Sequence, residues 1–146
     1  MKQTRHSFLK SQGYTSIKLN KTDTNHYQIE AKINDIEGLF ILDTGASNTC
    51  TDLQINKFHL ISIDSEVKAS SATDLMSETK VSKKNKLQIG KWISKSSSIV
   101  LFDMTHINKA LSERDIEVVD GIIGADILKK GKAIIDYEKN KLYLKL

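Results

Sequence analysis

Asp43 follows four apolar residues, Leu39-Phe40-Ile41-Leu42, and precedes Thr44, Gly45, Ala46 and Ser47. A carboxylate at the end of such a strand is partly desolvated unless something pairs with it. Thr44 sets a hydroxyl beside it, and Gly45 permits a close backbone approach or a positive φ. Ala46 and Ser47 are small and leave room next to the acid. These types in this order describe a carboxyl group held in a rigid, narrow place, fit to give or take a proton. Taken alone, the same residue also reads as a turn or capping aspartate at a strand end.

The other reactive side chains offer less. Asp126 reads as a helix-start residue, where a negative charge faces the helix N-terminus. Asp120 and Asp136 read as turn or surface groups. Cys50 reads as a buried, inert thiol, with a redox role near the Asp43 segment as the alternative. His6, His26, His59 and His106 lack ligand spacing, so neither a metal site nor a cofactor is expected.

A second segment gives Asp43 its context. Gly121-Ile122-Ile123-Gly124 is a tight apolar stretch between glycines, 78 residues beyond Asp43, and it runs into a helix-like Ala125-Asp126-Ile127-Leu128. Phe40-Ile41-Leu42-Asp43-Thr44-Gly45-Ala46-Ser47 resembles the active-site segment of aspartic proteases, and the later stretch resembles their second signature. Asp-Thr-Gly alone is a weak tripeptide; with the apolar strand before it and Ile-Ile-Gly plus a helix at this distance, the signal is strong. The resemblance covers roughly residues 27–146 by element order. It is to the retropepsin-like branch, in a bacterial or cellular form.

The resemblance implies a mainly β, single-lobed, closed acid-protease barrel with two or three short helices. One Asp-Thr-Gly per chain implies a homodimer in which each subunit supplies one Asp43. Two carboxyls about 3 Å apart cannot both ionise and share a proton. The charged member activates a water; the protonated one polarises the carbonyl of a peptide or protein substrate. The resemblance further implies that Thr44 holds the two loops in register and that Gly45 leaves its backbone open to substrate. Ile122 and Ile123 are to pack behind the loop, and Gly124 is to let the strand pass closely.

Two departures stand out. Retroviral members follow Asp-Thr-Gly-Ala with two acids and carry an Arg after the second-signature Gly; here Ser47, Asn48 and Ala125 stand there. The substrate-covering hairpin usually has Gly near its tip, yet no Gly lies between Gly45 and Gly90. The candidate flap is Glu66 to Val81, with Ser70, Ser71 and Ala72 near its tip, and it must use other turn residues. These departures favour the alternative function, a catalytically inactive module of the same fold for peptide binding or assembly.

The elements that must position the acid are mostly strands. Tyr27 to Ile33 alternates apolar and polar residues, Asn34-Asp35 marks a turn, and Gly38 to Leu42 is continuous enough to be buried on both faces. Ile17 and Leu19 alternate before the Lys21–His26 turn. Thr51-Asp52 is expected to cap a short helix over Leu53 to Phe58. Strands are expected at Lys86–Ile89 and Ser98–Phe102 about a Gly90-Lys91 turn, leaving Trp92 partly exposed. Thr105–Arg114 reads as a helix with Ile107, Ala110 and Leu111 on one face. Ala125–Lys130 reads as another, ending at Gly131 as its C′ residue. Two strands close the chain, Ala133–Tyr137 and Lys141–Leu146. Residues 1–13 lack periodicity and read as a loose arm or short edge segment, with the protease-like domain over 14–146.

Composition bounds the rest. The 146 residues suit one domain, and no apolar run approaches a membrane span. Net charge is +4 with lysines spread along the chain, so neither nucleic acid nor membrane is expected as a partner. The lysines of Lys80–Lys86 read as a solvated turn or strand edge rather than a nucleic-acid patch. One cysteine and no apolar leader suit the cytoplasm, if the sequence is complete.

Overall fold

The computed structural model describes residues 3–64 and 78–146. In chain order the elements are α1 (Arg5–Ser11), β1 (Tyr14–Lys18), β2 (Asn20–Lys21), β3 (Tyr27–Ile33), β4 (Ile36–Leu42), β5 (Cys50–Asp52) and β6 (Ile63–Asp64). They continue with β7 (Thr79–Ile89), β8 (Trp92–Phe102), α2 (Thr105–Glu113), β9 (Gly121–Ile123), α3 (Ala125–Lys130), β10 (Ile134–Asp136) and β11 (Lys141–Lys145). The candidate flap tip, Ser70, Ser71 and Ala72, lies outside the described residues.

The β3–β4 hairpin follows from its turn. Asn34 and Asp35 both have positive φ, 49° and 70°, which a two-residue turn with the hand of twisted strands requires. Ile33 then faces Ile36, and the register runs back to Tyr27 opposite Leu42. β4 pairs in parallel with β9, Phe40 against Gly121 and Leu42 against Ile123. From β9 the ladder runs through β5, β8 and β7, and β7 returns to β3 at Lys32 and Ile33. Six strands thus close into a barrel, the arrangement expected from sequence. Closure removes the open edges a sheet of this length would present.

Successive residues of the paired central strands belong to different cores. Phe40 and Ile123 join the cluster of Ile29, Leu87, Ile99 and Leu142. Their neighbours Ile41 and Ile122 join the cluster of Cys50, Val100, Phe102 and Leu111. This is the period-two geometry of a strand covered on both sides, and it is why β4 reads as an unbroken apolar run.

Several local expectations are overturned. The loose arm is instead a helix, α1, with Thr4 and Ser7 in a reciprocal capping box. Its Arg5 pairs with Asp136 and Glu138, and His6 Nδ1 lies 3.0 Å from the Tyr143 hydroxyl. No helix forms over 53–58. Thr51 and Asp52 are drawn into β5 between β8 and β9, and the Asp52 carboxylate accepts from the amides of Gln54 and Met104. β7 and β8 are each longer than expected, and buried polar groups are satisfied between them: Asn85 Nδ2 donates to Ser82 Oγ within β7 and across to the Ser97 carbonyl, while Ser94 and Ser97 bond each other within β8. Trp92 is 6% exposed, packed against Gly131. Gly131 has φ −85°; the left-handed residue is Lys132, at 48°. The glycine leaves room for Leu144 and Trp92: a Cβ there would meet Leu144 Cδ2 at 2.7 Å and lie 3.4 Å from the Trp92 ring. Ala110 on α2 is exposed while Leu111 is buried. Asp136 serves the turn after β10, one of its two expected readings, by accepting from the amides of Glu138 and Lys139, but it is buried rather than on the surface and also accepts from Arg5.

Candidate active site

Asp43 is the first residue beyond β4. Its amide donates to the Ile123 carbonyl at 3.0 Å, which continues the β4–β9 ladder by one bond. The chain then turns sharply. Ala46 N–H donates to the Asp43 carbonyl at 3.2 Å, and Gly45 N–H donates to Asp43 Oδ1 at 2.9 Å. The carboxylate is therefore aimed by its own loop, and among the described residues no hydrogen bond engages Oδ2. Asp43 is half-buried; Thr44, Gly45 and Ser47 are exposed and Ala46 is buried. Gly45 has no positive φ, and its role is close approach: a Cβ would sit 3.3 Å from Asp43 Oδ1.

Ile122 and Ile123 lie behind this loop, with exposures of 4% and 0%. Gly124 passes so close that a Cβ would meet the carbonyl oxygens of Ala46 at 2.7 Å and Asn48 at 2.8 Å. Ala125 N–H donates to Ala46 O at 2.7 Å. The sequence thus places Asp43, Thr44, Gly45, Ala46, Ser47, Ile122, Ile123 and Gly124 in one constellation, and the structure brings them together.

Two residues that sequence reasoning missed belong to it. Thr49 is fully buried, and its hydroxyl donates to Asp126 Oδ1 at 2.8 Å and accepts from Gly124 N–H at 3.1 Å. Asp126 also accepts from Thr49 N–H and Ile127 N–H. Asp126 is at the start of α3, as expected, but its carboxylate serves the Asp43 loop as well as the helix. Nothing in the pattern around Thr49 marked it. Cys50 Sγ–H donates to the Asn48 carbonyl. Burial, then the charges of Asp126 and Asp43, push its thiol up to about 12. It is 1% exposed, which fits the inert reading.

A cavity of about 320 Å³ opens beside Asp43 and Thr44, lined by His26, Tyr27, Leu42, Ile135 and Tyr137 among others. It joins the turn before β3, the end of β4 and the strand β10, segments distant in sequence. A larger groove along Glu30, Lys32, Glu37 and Asp120 does not include Asp43. Its Asp120 carboxylate is occupied, holding Lys57 and the Leu39 amide. Among the described residues there is no grouping of three or more His, Cys, Asp or Glu that could hold a metal, and no helix long and apolar enough to cross a membrane.

A strand-borne Asp-Thr-Gly at the surface of a closed six-strand barrel, backed by Ile-Ile-Gly, defines an acid-protease fold. The family model for aspartyl protease matches residues 29–127, about two-thirds of the chain. The chain belongs to the aspartyl protease family, and its fold is retropepsin-like. Among solved structures it is similar to a retropepsin-like aspartic protease from Rickettsia conorii, at 19% identity and a TM-score of 0.55, over 90% of this chain and 89% of that one. It is also similar to the EIAV protease complexed with the inhibitor HBY-793, at 17% identity and a TM-score of 0.54, over 80% and 98%. The retroviral protease-like domain of Ddi1 from Leishmania major aligns at 16% identity and a TM-score of 0.50, over 80% and 86%. No curated protein matches the sequence.

Proposed function

We propose that this chain is an active aspartic endopeptidase that works as a homodimer, with one Asp43 from each subunit. The observation that carries the reading is the placement of Asp43: held by the Ile123 carbonyl and the Gly45 amide, yet half-exposed beside Thr44 and Gly45 at the molecular surface. A lone carboxylate of this kind is half of a general acid–base pair. A second copy brought face to face supplies the other half, and the two share one proton. One member takes a proton from water; the other donates to the peptide carbonyl oxygen and later to the leaving amine.

The edge beside the site supports a second copy. Among the described residues β10 pairs only with β11, and Ile134 and Tyr137 are exposed there. Ile135 and Tyr137 line the same cavity as Asp43, so pairing along this edge sets the partner next to the acid.

Cleavage of an unfolded protein or peptide library across pH, wild type against Asp43→Asn, tests the proposal. Activity confined to a window of pH and abolished by the substitution is expected. Equal activity in both proteins, or a strict monomer by light scattering at high concentration, ends it. Peptide binding without cleavage in both proteins assigns the chain to the non-catalytic reading.

A further inference from the structure

The Asp126 carboxylate links its own helix to the loop that carries Asp43. It accepts from three donors: Thr49 N–H at 3.1 Å on Oδ2, Thr49 Oγ1–H at 2.8 Å and Ile127 N–H at 2.8 Å on Oδ1. Only the last belongs to its own helix. The other two cross to the loop that carries Asp43.

Thr49 is the middle of the link. Its hydroxyl gives its one proton to Asp126 and accepts the Gly124 amide, so its orientation is fixed. With Ala125 N–H to Ala46 O, four bonds tie residues 46–49 to residues 124–126. Asp43 itself is tied one residue earlier on the same strand, by its amide to Ile123 O. The loop from Asp43 to Thr49 is therefore a short bridge anchored at both ends on β9 and α3. Release of the far end leaves this stretch held on that side by the Ala125 N–H to Ala46 O bond alone, and loosens the Gly45–Ala46 turn that aims the carboxylate.

An amide does not replace this carboxylate. Both oxygens of Asp126 accept; an asparagine keeps one acceptor and presents N–H groups where the other stood. Thr49 N–H or its hydroxyl, in a fully buried residue, then loses its partner.

We infer that Asp126 is a positioning residue for the reaction, fixing through Thr49 the loop that carries Asp43. The inference rests on the protease reading above. A capping residue alone would support α3 and stability without touching the chemical step; a positioning residue sets the geometry of the reacting carboxylate, where a displacement near 1 Å costs up to about 100-fold.

The test compares Thr49→Val, Thr49→Ser, Asp126→Asn and the Val/Asn double variant. It measures kcat and KM per active site, titrated with a peptide bearing a hydroxyl transition-state isostere. It also measures amide hydrogen exchange at Gly45 and Ala46. Thr49→Ser, which keeps the hydroxyl, is expected to stay within about twofold of wild type. Thr49→Val and Asp126→Asn are expected to lower kcat by roughly 10–100-fold with KM little changed. The double variant is expected to lose no more than the worse single one. Wild-type kcat per titrated site in the folded Val and Asn variants overturns the inference. Should the wild type itself cleave nothing, the protease reading fails separately. The exchange data then decide the lock: faster exchange at Gly45 and Ala46 in Thr49→Val sustains it, and unchanged exchange overturns it.

Discussion

Replacing Gly124 by alanine probes the same loop from its other side. A Cβ at this position meets Ala46 O at 2.7 Å and Asn48 O at 2.8 Å, and both are backbone atoms that no rotamer change can move away. Ordinary contact begins near 3.4 Å, so the loop must recede by about 0.7 Å, or β9 and α3 must yield by that amount. Overpacking of this kind costs about 1–3 kcal/mol. For a domain of this size that lowers Tm by roughly 3–10 °C. The same displacement stretches the Ala125–Ala46 hydrogen bond and moves the loop bearing Asp43. A loss of kcat of roughly tenfold or more is expected beyond what unfolding explains, with KM less affected. Calorimetry gives the first number, and peptide hydrolysis per titrated site, well below the new Tm, gives the second. Alanine at Gly45 is the control: among the described residues its Cβ meets only Asp43 Oδ1, at 3.3 Å, so stability should change far less. An unchanged Tm and kcat in Gly124→Ala would refute the argument that this glycine exists for backbone clearance.

Cys50 should resist thiol reagents at pH 8 in the folded protein and react on unfolding, as read by absorbance with an aromatic disulfide. Its pKa is raised from 9.0 to about 12, so the unfolded chain loses the proton first. Stability should fall as pH rises from about 9 to 12, by at most about 1.4 kcal/mol per unit, and Cys50→Ala should remove that slope in denaturant titrations. Phe40→Ala removes a fully buried ring stacked on Phe58 and should cost about 3–5 kcal/mol in chemical unfolding. Asp136→Ala leaves the amides of Glu138 and Lys139 and part of Arg5 without their acceptor, and should cost about 1–3 kcal/mol. Arg5→Ala should cost about 1 kcal/mol or less, because that side chain is 59% exposed and water replaces its bonds.

How much of this was legible in the sequence depends on range. The Asp43 loop, the β3–β4 hairpin and the Gly121–Gly124 passage were readable, because apolar runs, turn residues and glycines act within a few positions of themselves. Residues 53–58 misled, because Asp52 has capping chemistry and uses it, on Gln54 N–H and Met104 N–H, while the backbone of Cys50–Asp52 is claimed by β8 and β9. The helix α1 escaped notice for the same reason: no α1 residue is buried, and Arg5 and His6 bond to residues more than 130 positions away. Trp92 and Gly131 explain each other only in three dimensions, since the ring lies against the glycine. Thr49 and Asp126 are 77 residues apart, and neither carries a local signal for the other.

The missing acid and arginine of the retroviral pattern look different beside that link. The sequence has Ser47 and Asn48 where two acids were expected and Ala125 in place of the arginine. Here Thr49, Gly124 and Asp126, next in sequence to Asn48 and Ala125, bond the loop that carries Asp43 to the start of α3. In the retroviral pattern the arginine pairs with an acid near the active site and helps fix the dimer, and the two kinds of contact differ physically. An ion pair between long side chains holds over several ångströms and tolerates small shifts. A buried threonine between a carboxylate and a backbone amide tolerates none, because each of its bonds has one donor and one acceptor in a packed interior. Substitutions at Thr49 or Asp126 should therefore act on the chemical step sharply, whereas restoring charge at Asn48 and Ala125 together, as Asn48→Asp with Ala125→Arg, should leave kcat near wild type. A large gain of kcat in that double variant would show that the Asp126 link holds the loop less firmly than the geometry indicates.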